Sequence, residues 1–168
     1  MIQENFDAIQ YFTELADKNK MARRCKFVPR VISTTEDLTG LLDDMKEHDR
    51  FIAISDTTTG NVSSPDGAYG FSKRRAYTVF LLSAFYENDM ESRQQELDVC
   101  RELFKQFLKR IIRDKYLYDE KQMFFDTRSI PNQELGRNFY PGMTGLHFTL
   151  YVQEPIDLCY DENEWEEE

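Results

Sequence analysis

Arg75-Ala-Tyr-Thr-Val-Phe-Leu-Leu-Ser-Ala-Phe-Tyr86 is followed by Glu87-Asn88-Asp89 and then by a charged segment of high helix propensity. Aromatic and β-branched residues dominate the first part, which reads as a strand. From about Glu91, Leu97, Cys100, Phe104, Phe107, Leu108 and Ile111 recur at helical spacing. One stripe is thus apolar and the remainder charged. A strand that runs directly into an amphipathic helix makes a two-layer unit, because the stripe needs a sheet face to cover it. Residues 75–117 therefore point to an α+β domain.

The strand itself carries a second message. Tyr77, Val79, Leu81 and Phe85 lie on one face, and Ala76, Phe80, Leu82 and Ala84 on the other. Both sides are apolar, yet one helix covers only one of them. The second must meet the N-terminal helices or another subunit. The expectation adopted is a neighbouring subunit.

Outward from this unit, the N-terminal segment reads as a helix over residues 3–20, with Phe6, Ile9, Phe12 and Leu15 on one side. Lys26-Phe-Val-Pro-Arg-Val-Ile32 is a strand, and Pro29 confines it to an edge or a bulge. Ser33-Thr-Thr-Glu36 has capping-box spacing ahead of Leu38, Leu41, Leu42 and Met45, so a second helix is expected over 35–48. Phe51-Ile-Ala-Ile-Ser55 is a short apolar strand buried on both faces. Residues 57–72 are rich in turn formers, with Pro65-Asp66-Gly67 the strongest signal, and read as a flexible loop. Lys73, Arg74 and Arg75 close it with local positive charge. Later, Gln122-Met-Phe-Phe-Asp-Thr-Arg128 reads as a strand and residues 130–137 as a loop. In the last strand Leu146, Phe148, Leu150 and Val152 alternate with His147, Thr149, Tyr151 and Gln153, and Pro155 ends it. The order is α-β-α-β-loop-β-α-β-β, a mostly antiparallel sheet with helices packed on it. Residues 1–155 form a single domain and 156–168 an acidic C-terminal tail, in which Trp165 is either unpacked or an anchor for a partner.

Composition limits the function classes. The chain has 168 residues and a net charge of −10, enough for one core and too acidic for broad contact with nucleic-acid phosphates. No apolar run is long enough to span a bilayer, and the segment from Met1 to Phe6 lacks the basic-then-apolar pattern of a secretory signal. A cytosolic protein without membrane contact is expected. The three cysteines, Cys25, Cys100 and Cys159, fit neither a disulfide framework nor a zinc site, and Cys100 lies on the apolar stripe as a core thiol. His48 and His147 belong to no metal motif.

Pro65-Asp66 with Asp119-Glu-Lys121 spells a metal-nuclease pattern, but such short matches arise by chance in an acidic chain. No glycine-rich phosphate loop precedes a helix. An RNA-binding sheet would need Tyr77, Phe85 and Tyr151 on one face, and the acidic balance weighs against it. No cofactor, metal or catalytic residue is assigned, and the chain is not read as an enzyme.

The strand from Arg75 to Tyr86, Asp89 at the helix start, the helix from Leu97 to Asp114, and Gly142-Met-Thr-Gly-Leu-His-Phe-Thr-Leu150 together resemble the tail-terminator-like neck proteins of tailed bacteriophages. The resemblance covers about residues 51–155 as a pattern. It is closest to ring or collar proteins of phages of Bacteroidetes, including the crAss-like group. It implies a structural virion protein without catalysis, made in the host bacterial cytoplasm. That protein would form a homo-oligomeric ring against neighbouring neck, portal or tail proteins, with DNA only as passing cargo. An acidic ring would let DNA slide rather than stick. By the same analogy the loop and the tail make the subunit contacts, and Tyr69, Lys73, Arg74, Arg75 and Trp165 are the residues assigned to them. The helix expected at 35–48 departs from the simplest members of that family. A small cellular ligand-binding or regulatory domain, with the 57–72 loop closing over its ligand, is the alternative.

Overall fold

Two 14-residue strands, β4 (Phe71–Ala84) and β7 (Met143–Ile156), pair antiparallel along their whole length and form the spine of the molecule. The computed structural model describes residues 5–46, 49–64 and 70–166. Around the spine lie the helices α1 (Ala8–Lys18), α2 (Lys20–Arg24), α3 (Thr35–Asp43) and α4 (Met90–Asp119). The remaining strands are β1 (Phe27–Ile32), β2 (Arg50–Ser55), β3 (Thr59–Ser63), β5 (Phe124–Phe125) and β6 (Asn132–Glu134). The fold is α+β. Strands run in the order β1-β2-β4-β7-β5, with β3 beside β4 and β6 beside β7, and every pairing is antiparallel except β1 with β2.

The flanking strands are interrupted rather than separate. Ile54 faces Val79 and Thr59 faces Ala76, so the four residues 55–58 stand opposite two, Tyr77 and Thr78. β2 and β3 are thus one long strand broken by a bulge. Likewise Phe125 faces Val152 and Asn132 faces Phe148, so residues 126–131 make an excursion between β5 and β6.

Several boundaries differ from the sequence reading. Part of the expected 57–72 loop is sheet, because Thr59–Ser63 pairs with β4 and β4 already begins at Phe71. The strong turn signal, Pro65-Asp66-Gly67, lies outside the described residues, as do Tyr69 and His48. Asn19 splits the first helix. Its extended backbone ends α1, and its side-chain oxygen accepts from Ala22 N at 2.8 Å to start α2. The capping box lies one residue later than expected, between Thr34 and Asp37, while the Ser33 hydroxyl binds Asp56. Pro155 does not end β7 but sits inside it, opposite Ser72 and one residue before the end, where little of the ladder is lost. The strand expected at 122–128 shrinks to Phe124–Phe125, and the loop at 130–137 contains β6.

Alternation along β4 divides the core in two. Tyr77, Val79 and Leu81 face α1, α2 and α4, joining Phe12, Leu15, Leu103, Phe107, Ile111, Phe148 and Leu150 in the larger cluster. Leu82 and Ala84 point the other way, into a smaller cluster with Ile32, Leu42, Ala53, Leu135 and Met143, against which Leu38, Leu41 and Phe80 pack. The parallel β1–α3–β2 crossover places α3 over this second face. Part of the face assigned to a neighbour is therefore covered by the chain itself, and by α3 rather than by the N-terminal helices.

α4 is about 45 Å long at 1.5 Å per residue. Asp89 caps it, accepting from the backbone N–H groups of Glu91 and Ser92. A polar clamp holds its first half. Arg50 donates two hydrogen bonds of 2.9 Å to the Glu96 carboxylate and a third to the Cys25 carbonyl, and Ser83 donates to the same carboxylate. Cys100 is fully buried in the core, where burial pushes its thiol up to about 12. Close approach of the spine strands explains Gly145. Its φ is +144°, and a Cβ there would lie 1.9 Å from the Leu81 carbonyl oxygen.

Candidate functional site

The basic run at the start of β4 is split by strand alternation, which sends Lys73 and Arg75 to one face and Arg74 to the other. Lys73 lies 3.3 Å from the buried carboxylate of Glu154 and also donates to Asn5. Glu154 accepts in turn from Phe6 N, so this group ties the N-terminal segment to the spine. Arg74 binds Asp126 at 2.9 Å and stacks its guanidinium 4.1 Å from the centre of the Tyr151 ring. Arg128 and Arg74 together hold the Asp126 carboxyl below the usual carboxylate range, Arg128 having the larger effect. Arg75 is exposed and forms no ion pair among the described residues. Two of the three cations assigned to subunit contact are thus engaged within the chain. Trp165 is 64% exposed and lies in the tail, stacked on Tyr160 at 6.3 Å. No described contact joins it to the basic run.

The aromatics considered for a nucleic-acid surface do not share a face. Tyr77 points under the helices against Phe6, where burial pushes its phenol up to about 12, and Tyr151 points to the opposite side. On that opposite side, beyond Phe80 and His147, the sheet carries Thr78, Thr149, Tyr151, Gln153 and Phe124. Among the described residues no helix contributes a core residue over this stretch. His147 rests on Phe80 with ring centres 5.2 Å apart, and partial burial lowers its affinity for a proton.

A groove of ≈ 470 Å³ runs between α1 and the second half of α4. Its floor is Asp114, only 3% exposed. The Arg110 Nε donates to both Asp114 oxygens at 2.8 Å, and the Tyr11 hydroxyl donates at 3.1 Å. Burial, then the neighbouring carboxylate, raises the proton affinity of Tyr11. Asp114 is already satisfied by a cation and a hydroxyl, so this trio is a structural clamp with no proton acceptor to spare. Glu14, Lys18, Gln106 and Lys121 give the walls a mixed polar character. Sequence reasoning passed over Asp114. Its signal was position: Phe107, Ile111 and Asp114 recur at helical spacing, which puts a carboxylate on the buried stripe, where it needs a partner.

Asp119, Glu120 and Lys121 close α4, and Lys121 lies 5.4 Å from the centre of the Tyr118 ring. Asp66, the other half of the nuclease pattern, is outside the described residues. Among the described residues no group of three or more His, Cys, Asp or Glu side chains comes together to hold a metal ion. No described helix is long and apolar enough to cross a membrane. Comparison with known proteins finds no family and no curated protein that matches this chain.

Proposed function

We propose that this chain is a structural subunit of a phage neck or tail, assembling as a homo-oligomeric ring in the virion, with DNA only passing through. The observation that carries the proposal is the unequal treatment of the sheet. Helices cover one face of the spine strands from Tyr77 onward, yet only one end of the other face is covered, and the far end is flanked by the wholly exposed β3. Phe124 adds apolar surface on the open face, 48% exposed, while Val62 and Phe71, 51% and 39% exposed, add it at the same end on the face of Lys73 and Tyr77. Exposed apolar side chains at an uncovered sheet end suit packing against further subunits. The resemblance described above and the acidity of the chain point the same way. Light scattering and electron microscopy of the purified protein test the reading: closed rings are expected. A strictly monomeric protein at high concentration, never recovered in virions, would overturn it.

A second reading rests on the groove between α1 and α4, whose volume falls in the range of small-molecule sites. Under it the chain is a ligand-binding domain, and the ligand enters beside Arg110 rather than under the 57–72 segment. A small molecule that co-purifies with the protein and is released by Arg110→Ala would favour this reading.

A further inference from the structure

We infer that the C-terminal tail of one copy docks on the outer face of α4 of a second copy. This rests on the homo-oligomeric reading above and names the two surfaces that would meet. Residues 103–118 carry Lys105, Lys109, Arg110, Arg113 and Lys115 against a single carboxylate, Asp114, which is buried and already held by Arg110. In a chain of net charge −10, this is a concentrated basic surface. Helical geometry sorts it further. Lys105, Lys109, Ile112 and Tyr116 follow one another at intervals of three and four, opposite the buried Phe107, Ile111 and Asp114, with Arg113 at their flank. Ile112 is 50% and Tyr116 69% exposed, and neither Lys109 nor Arg113 forms an ion pair among the described residues. The stripe extends about 16 Å along the helix at 1.5 Å per residue.

The tail has the complementary chemistry. Residues 157–166 carry Asp157, Asp161, Glu162, Glu164 and Glu166 and no cation. They also expose Leu158, Tyr160 and Trp165 by 52%, 72% and 64%. The segment is partly organised already. Asp161 caps the 3-10 turn Glu162–Glu164, and Tyr160 and Trp165 stack with their planes 19° apart, making an aromatic plate beside acidic side chains. None of these residues is buried against its own chain. An aromatic plate flanked by carboxylates fits a stripe of Ile112 and Tyr116 flanked by ammonium and guanidinium groups, through apolar contact, cation–π contact and ion pairing together. Because the two surfaces differ, each copy offers one and receives the other. Such a head-to-tail contact closes into a ring when the rotation allows.

Charge exchange in the full-length chain tests the inference by light scattering. Wild type is expected to self-associate, and more weakly as salt rises. Lys109→Glu with Arg113→Glu, and separately Glu162→Lys with Glu164→Lys, should each give monomers with unchanged thermal unfolding, since all four side chains are exposed. Mixing the two variants should restore assembly, because the reversed tail of one then matches the reversed helix of the other. Assembly that survives either reversal overturns the docking inference while leaving the ring reading standing. Failure of the mixture to assemble also overturns it, since a tail that folds onto its own helix gains nothing from mixing. A wild-type chain that never self-associates overturns the ring reading, and the docking inference with it.

Discussion

The two faces of the spine differ more than their sequences do. Leu81 and Leu82 are adjacent in β4, are the same residue type and are both fully buried, yet they belong to different cores. Leu81 joins a large cluster in which three helices close over the sheet. Leu82 joins a small one, closed by α3 and by Leu135 and Met143 from the other end of the chain, beyond which the face opens onto Thr78, Thr149 and Tyr151. Apolar alternation in a strand therefore reports that both faces are buried, but not by how much or by what. The difference sets the scale of each perturbation.

Leu81→Ala should have the largest effect, about 4 kcal/mol in denaturant unfolding, because a cavity between sheet and helices has little room to collapse. Loss of the Glu96 carboxylate comes next. Glu96→Ala leaves the partly buried Arg50 and the fully buried Ser83 without their acceptor, and about 3 kcal/mol is expected. Leu82→Ala should cost less, about 2 kcal/mol, since the smaller cluster lies near an open face and can relax. Equal costs for Leu81→Ala and Leu82→Ala would remove the distinction between the two cores.

Much of this division was legible before the structure. The alternation of Leu146, Phe148, Leu150 and Val152 placed the middle of β7, though the strand runs three residues further at each end, and all four are buried in the larger cluster. The apolar stripe of α4 was readable as well, though Leu103, absent from the expected stripe, is fully buried while Phe104 is only partly so. Illegible features depended on contacts distant in sequence. β3 is made of Thr59-Gly-Asn-Val-Ser63, in which Gly60 and Asn61 offset the strand preference of Thr59 and Val62. It is a strand because β4 extends past β2 and offers it a partner. Asn19 looked like a residue within a helix; besides its local cap to Ala22 N, its side-chain amide donates to Gln106 Oε1 of α4 at 3.0 Å, a contact the sequence did not show. At the groove, the Arg110–Asp114 spacing was visible in the chain, but the Tyr11 hydroxyl that completes the clamp comes from α1.

The half-open face should also show itself in acid. Partial burial against Phe80 lowers the proton affinity of His147 in the folded chain, whereas the unfolded chain keeps the ordinary imidazole value, about 6.5. The unfolded state then binds more protons over the interval below that value. The contribution of His147 to stability is complete above about 6.5, begins to fall below it, and is lost as pH falls through the lower value of the folded chain. His147→Phe should flatten this part of the pH profile of unfolding. A profile that keeps its slope would place the titration elsewhere.

The smallest effect is expected at β5, where Phe124 and Phe125 repeat the contrast of Leu81 and Leu82 in a strand of two residues. Phe125 faces the helices, 2% exposed, in contact with Phe6, Tyr11 and Tyr118. Phe124 pairs with Gln153 on the open side and is 48% exposed. Phe124→Ser should change unfolding free energy by no more than about 0.5 kcal/mol, the usual range for a surface position. Phe125→Ala in the same strand should cost about 3 kcal/mol or more. Because the two share one backbone segment, any general weakening of β5 affects both, and the gap between them isolates burial. A Phe124→Ser penalty in dilute monomer that approaches the Phe125→Ala value would mean that the chain itself packs the far end of this face, and the open side of the sheet would no longer be available to another subunit.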